Sequence, residues 1–433
     1  MNTISSMIFF LANRGMGRAL RHRDYAMYAA AGWFSNIGLW VQRIAVSWLT
    51  WTYTGSWTWL GVIVFAEGFT TTIVMPIAGI YADRLDRLSI ARISQLGLMA
   101  VSAVLAALTF LGLTNIWILL GLMIFCGVIE GFWTPVRLSI PPNLVPREDL
   151  PSALGISASL FNLAQFIGPA IAGIIIAYFE TTDTQFGFAF AFNSATFLSY
   201  LVVLFVIKLR EEERLNQIEV GFIAEFKAGV NYVVKTRGLP LFLMLMMFTS
   251  LCMRPFRELF AGISDDIFGQ GADGLAILTG ATGIGAVVGA LVIANLPSVR
   301  GMVRLMFIFL IIDVIIQIAF AFSPSFIFAV VCAAGMGFAV TTAGIGGQVL
   351  VQSAIRDDMR GRVMSLWGII MRGGVPTGSI ILGFIVSVVG FQAGLLVITG
   401  VFVLVLLLVI PRSGPLIERM ELPPVEDLKL PNS

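Results

Sequence analysis

The sequence predicts an all-α membrane protein of twelve transmembrane helices in two pseudo-symmetric six-helix bundles. Composition is the first reason: of 433 residues, 58% are hydrophobic and only 12% are charged, a balance foreign to ordinary soluble domains. Hydropathy is the second. Apolar spans fall at about 25–50, 57–81, 89–112, 116–138, 152–178, 187–208, 240–262, 274–296, 303–322, 325–349, 362–388 and 392–410, each of a length that crosses hydrocarbon as a helix. The third is where positive charge sits. Alternate loops carry Arg84, Arg87, Arg92, then Arg137 and Arg147, Lys208 through Arg237, Arg300 and Arg304, and Arg356 to Arg362. The opposite loops, such as Thr114–Ile116, Ser264–Asp273 and Gly390–Gly394, hold no Lys or Arg. This positive-inside pattern places both termini in the cytoplasm.

Residues 1–23 read as a cytoplasmic, partly amphipathic arm on the membrane surface. Their apolar run is short and precedes Arg14, Arg18, Arg21 and Arg23, the reverse of a secretion signal. His22 among these arginines reads as a solvated surface residue, with a titrating sensor as the alternative. A first bundle spans 24–208. In its first span Asn36, Trp40, Arg43 and Ser47 recur at helical spacing and form one polar face, the pattern of a cavity wall. Trp48, Trp51, Tyr53, Trp57 and Trp59 read as an interfacial belt.

Residues 209–238 form a charged linker that ends in an amphipathic helix, with Phe222, Phe226, Val230 and Val233 on one face. A second bundle covers 239–411, and 412–433 form a cytoplasmic tail. The bundles look like copies. Pro146-Arg147-Glu148-Asp149-Leu150 and Ile355-Arg356-Asp357-Asp358-Met359 each open a helix rich in Gly and Pro, 209 residues apart. Parallel six-span repeats are a transporter architecture with the substrate site near mid-membrane.

Ionisable residues inside spans cost at least about 2.5–3.5 kcal/mol and are functional candidates by default. The bases are Arg43, Arg254, Arg257 and Arg372; the acids are Glu67, Glu130, Glu258 and Asp313. Equal numbers permit pairing. Arg254 and Glu258, four apart, suit a pair within one helix, leaving Arg257 to a ligand. A buried Glu67 suits proton coupling, or an ion pair with Arg43 or Arg372. Glu130 fits carrier and packing roles equally, and Asp313 reads as a packing partner or a polar lipid contact. Substrate-cavity candidates are Asn36, Trp40, Arg43, Glu130, Arg254, Arg257 and Arg372. Proton-coupling candidates are Glu67, Glu130, Glu258 and Asp313.

Between spans 2 and 3, Gly79-Ile-Tyr-Ala-Asp83-Arg84-Leu-Asp86-Arg87 resembles the G-x-x-x-D-R-x-G-R-R loop of the major facilitator superfamily, with Asp86 where Gly is usual and Leu88 where a second base is usual. Gly79 suits close helix approach, Asp83 suits a helix N-terminus, and Arg137 suits a latch with Asp83. Gly79, Asp83, Arg84, Arg87 and Arg137 thus form the expected gating motif. Trp40-Val-Gln42-Arg43, Leu144 to Pro151, Phe161-Asn162-Leu163 and Arg360-Gly361-Arg362 are similar to the bacterial enterobactin-exporter and macrolide-efflux branch. Gly168, Pro169 and Gly173 partly match the family's antiporter motif, and a mid-helix Gly–Pro pair bends a span. The resemblance implies a cavity lined by spans 1, 4, 7 and 10 and proton-linked export of a small amphipathic molecule, of drug or siderophore class, by alternating access. It further implies a monomer in the bacterial inner membrane.

A lysophospholipid flippase or a metabolite importer on the same fold is the alternative. A lipid-modifying membrane enzyme is disfavoured, since no nucleophile–base pair stands out. Cys126, Cys252 and Cys332 have no ligand spacing, so no metal or cofactor is expected. No phosphate-binding G-x-x-x-x-G-K-[ST] loop occurs, against ATP-driven transport. The small net charge of +2 gives no case for nucleic acid.

Overall fold

A computed structural model describes residues 16–82, 86–179, 181–209, 222–296, 298–414 and 420–421. Among the described residues there are helices and no strands. After a 3-10 turn at Met16–Arg21 come α1 (Arg23–Thr54), α2 (Trp57–Ala82), α3 (Arg87–Phe110), α4 (Ile116–Ser139), α5 (Leu150–Tyr178) and α6 (Thr182–Val206). Next are α7 (Phe222–Lys235), α8 (Leu239–Phe248), α9 (Gly271–Ala294), α10 (Met302–Ala321), α11 (Phe326–Ala354), α12 (Asp357–Val389) and α13 (Phe391–Val409). Among the described residues, eleven helical stretches are long and apolar enough to cross a membrane. The twelfth expected span, α1, has 32 residues but no equally apolar stretch, because Ser35, Asn36, Gln42, Arg43 and Ser47 dilute it.

The seventh span departs from the regular helix expected of it. Beyond α8 it runs through a π turn at Thr249–Met253, a 3-10 stretch at Pro255–Leu259 and a second π turn at Ile263–Ile267. Pro255 has no amide hydrogen, and its ring crowds the carbonyl of Leu251, so the α ladder cannot continue. Arg254, Arg257 and Glu258 all lie in this broken segment.

The chain divides into two compact units. One comprises Met1–Thr54, Thr70–Gln217 and Ala272–Gly280; the other comprises Gly55–Phe69, Ile218–Gly271 and Ala281–Ser433. In the first unit α3 packs along α6 and α4, and α1 packs on α6 and α5. A neutral polar layer lies inside it. The Gln42 side-chain carbonyl accepts from Ser102 Oγ and from Asn193 Nδ2, each at 2.7 Å, and Asn193 Nδ2 also donates to Ser102 Oγ at 3.1 Å. All three residues are buried. Hydrocarbon offers no competing partner, so such bonds hold helices in register.

In the second unit α10 packs on α11 and α13, and α12 packs on α13, α7 and the broken span. Gln317 Nε2 donates to the Met253 carbonyl at 2.9 Å, and Thr399 Oγ1 donates to Gln317 Oε1 at 3.0 Å. The close approach of α9 and α11 rests on Gly285 and Gly337. A Cβ on Gly285 would strike the Ala334 carbonyl, and one on Gly337 the Thr282 carbonyl.

Each unit has a segment laid on the start of a Gly–Pro helix. In the first it is the 3-10 turn. Ala19 is fully buried, its amide donates to Ser152 Oγ at 3.2 Å, and Arg18 meets Asp149 at 3.4 Å. His22 is not the freely solvated residue expected: its Nε2 lies 2.9 Å from Asp149, at 29% side-chain exposure. In the second unit α7 packs on α12, with Gly229 against the Arg362 backbone and Tyr232 Oη accepting from the Arg356 amide at 3.5 Å.

Candidate functional site

The charged and polar residues singled out inside spans separate by environment. On α1, Asn36 and Ser47 are half-buried and Arg43 is exposed. The Arg43 guanidinium lies 5.1 Å from the centre of the Trp40 ring, a cation–π distance. Trp40 itself is 7% exposed, meets Phe161 edge-on at 6.5 Å, and has an indole N–H that is buried without a hydrogen-bond partner. It is seated by Gly168, where a Cβ would collide with the Trp40 Cβ. α1 and α5 therefore meet at a Gly–Trp contact, and the Arg43 head extends from it. Gly374 does the same on α12, where a Cβ would meet Ser250 Oγ at 2.5 Å.

The proline of each motif faces elsewhere. Pro169 lies 4.0 Å from the Cβ position of Gly280, and Gly173 has Ala276 at 3.6 Å, both on α9. Pro376 packs against the Cβ position of Gly68 on α2. Glu67 beside it is half-buried, as are Arg372 on α12 and Glu130 on α4. Glu130 makes no hydrogen bond or ion pair among the described residues, whereas Thr71 Oγ1 bonds the Gly127 carbonyl nearby at 3.1 Å.

Two expectations about charge pairing are corrected. The pair in the seventh span is Arg257 with Glu258, at 3.1 Å, rather than Arg254 with Glu258. The 3-10 winding after Pro255 removes the i, i+4 geometry of an α-helix. Arg257 is thus engaged, and Arg254 has a buried Nε without a partner. Asp313 is no lipid contact. It is 0% exposed, and neither carboxylate oxygen has a hydrogen-bond partner.

Of the gating motif, Asp83 and Arg84 lie outside the described residues. Arg87 is half-buried and opens α3; Arg137 is half-buried near the end of α4, where its carbonyl accepts from Tyr28 Oη at 3.1 Å. Among the described residues nothing lies within 4 Å of a Cβ built on Gly79, so they show no close approach there. α2 and α4 instead meet at Gly131, whose Cβ position is 2.6 Å from the Val74 Cβ. Asp86, which stands where the motif has Gly, has a local purpose. It caps α3, accepting from the Ser89 amide at 2.8 Å and from Ser89 Oγ at 2.7 Å. Burial pushes its carboxyl up, but the Ser89 and Leu88 hydrogen bonds and the Arg92 charge outweigh this and hold it below the ordinary range. Gln42, Ser102, Asn193, Gln317 and Thr399 were not singled out by sequence. Their signal was present as polar residues in matching spans of the two repeats.

An all-helical body with eleven apolar spans, repeated Gly–Pro helices and charges held inside its spans is a multi-pass membrane protein of transporter type. Residues 18–432 match the family model described as transmembrane secretion effector, and the chain belongs to that family, a branch of the major facilitator superfamily of transporters. It is 24% identical to the staphyloferrin A transporter of Staphylococcus aureus over 82% of this chain and 87% of that one. It is 28% identical to macrolide efflux protein A of Enterococcus faecalis, over 70% of this chain and 93% of the relative. Among solved structures it resembles a bacterial homolog of the human lysosomal transporter Spinster in an inward-facing, unoccupied conformation. The TM-score is 0.70 at 13% identity, covering 92% of this chain and 98% of that one.

Proposed function

We propose that this chain is a secondary active exporter, moving a small amphipathic molecule of drug or siderophore class out of the cell in exchange for protons. It works as a monomer in the bacterial inner membrane, with twelve spans in two six-helix bundles, both termini cytoplasmic, and alternating access by a rocker-switch. Arg43 is the observation that carries this reading. Its guanidinium is exposed within a span and lies beside the Trp40 ring, and a charge next to an aromatic face suits an amphipathic ligand. The family and the macrolide and staphyloferrin relatives support the direction.

Asn36, Trp40, Arg43, Glu130, Arg254, Arg257 and Arg372 line the substrate path. Glu67, Glu130, Glu258 and Asp313 are the carboxyls available for coupling. Gly79, Asp83, Arg84, Arg87 and Arg137 form the cytoplasmic gate. Gly168, Pro169 and Gly173 give the bend and the small surface on which spans slide.

Transport of a macrolide into inverted membrane vesicles, with and without an imposed pH gradient, tests the proposal. Gradient-driven uptake is expected in the native protein. It falls at least about tenfold in Arg43→Ala, the loss of one charged contact worth about 1.5–3 kcal/mol. Uptake indifferent to the gradient removes the coupling, and unchanged uptake in Arg43→Ala removes that residue from the path.

A further inference from the structure

We infer that Asp313 is an interior proton-binding site of the second half, with Arg254 as the partner that sets its charge; its use as the coupling proton's site rests on the export reading above. The packing locates it. Gln317, one turn along α10 from Asp313, donates to the carbonyl of Met253, the residue before Arg254. Where the first half buries a neutral 2.7 Å hydrogen bond between Gln42 and Ser102, the second buries both Asp313 oxygens and the Arg254 Nε without a hydrogen-bond partner.

The surroundings leave Asp313 two states. α11 and α13, which pack on α10, contain no Asp, Glu, Lys, Arg or His, and Cys332 is the one other titratable group they bring. From the broken span come Cys252, Arg254, the mutually paired Arg257 and Glu258, and, at its far end, Asp265 and Asp266. Gln317, one turn along α10, is committed to the Met253 carbonyl and Thr399. An ionised carboxylate without donors is far costlier here than a protonated one. The conformation described therefore holds the proton on Asp313, as a neutral acid.

Releasing the proton breaks the carboxyl O–H bond and leaves a carboxylate whose available counter-charge is Arg254. Arg254 sits between a π turn and a 3-10 stretch, where little regular ladder resists its swing. Arg254 is half-buried, whereas Asp313 is fully buried. With the proton on, Arg254 is released toward the Arg257–Glu258 pair; with it off, Arg254 is drawn to Asp313. One proton thus selects between two settings of the seventh span.

Infrared pH-difference spectroscopy on purified full-length protein in lipid nanodiscs tests the site without any substrate. A protonated-carboxyl C=O band is expected at neutral pH in the native protein and absent in Asp313→Asn. In Arg254→Gln it should persist to a pH higher by about 1–3 units, because the carboxylate has lost its counter-charge. A band unchanged in Asp313→Asn, or with the same pH midpoint in Arg254→Gln, overturns the assignment. Macrolide uptake then separates the two readings. Native uptake that ignores the pH gradient sinks proton-coupled export and, with it, the coupling role of Asp313. A gradient response retained in Asp313→Asn sinks that coupling role alone.

Discussion

The two units each bury polar side chains and use them differently. In the first, Gln42, Ser102 and Asn193 satisfy one another from α1, α3 and α6. In the second, Gln317 joins α10 to α13 through Thr399 and to the Met253 carbonyl, while Arg254 Nε and both Asp313 oxygens are buried without a hydrogen-bond partner. A neutral, satisfied layer has one stable arrangement. A charged pair with unmet bonds has two, and protonation chooses between them. On the proposal above, the first unit is the stiff one and the second the switchable one.

Substitution can break the likeness or sharpen the contrast. The largest expected effect is at the shared feature. Gly168→Leu and Gly374→Leu should each cost about 3 kcal/mol by overpacking, and by similar amounts if the contacts are equivalent, read as the melting temperature of purified protein. A silent Gly374→Leu would break the equivalence. Next, Gln42→Met keeps the volume and removes the acceptor of two buried donors, for about 1–2 kcal/mol. Thr399→Val, on the matching helix, removes one bond and should cost only about 0.6 kcal/mol.

The smallest effect concerns helix starts. The N-terminus of α3 is capped by its own Asp86, whereas that of α10 is capped from far along the chain: the Gly301 and Val303 amides donate to the Glu421 carboxylate at 2.7 and 2.9 Å. Asp86→Ala should cost about 0.5 kcal/mol near neutral pH. Because the folded state lowers the Asp86 pKa, the cap is at full strength above the unfolded value of about 3.9 and is lost as pH falls through the lower folded one. Native and Asp86→Ala melting curves should therefore differ at pH 7 and converge only as pH falls below the ordinary carboxylate range.

The spans, the linker helix α7 and the Gly–Pro helices were legible in the sequence, because hydropathy and backbone chemistry act locally. Which polar group meets which was not. Asp313 reads as an isolated acid in an apolar string, and only the packing of α10 against the broken seventh span brings it to Arg254. The break was readable in principle from Pro255, which leaves one carbonyl without a donor in mid-span. Asp86 looked like damage to a motif and proved to be a cap, since a rule about loops does not see the helix that follows.

Accumulation of a macrolide by proteoliposomes under an imposed pH gradient, measured side by side for Gln42→Met and Asp313→Asn, tests the contrast between the halves most directly. Gln42→Met should concentrate the compound as the native protein does despite its lower melting temperature, while Asp313→Asn should only equilibrate it. Concentrative uptake by Asp313→Asn at the native level would contradict the account.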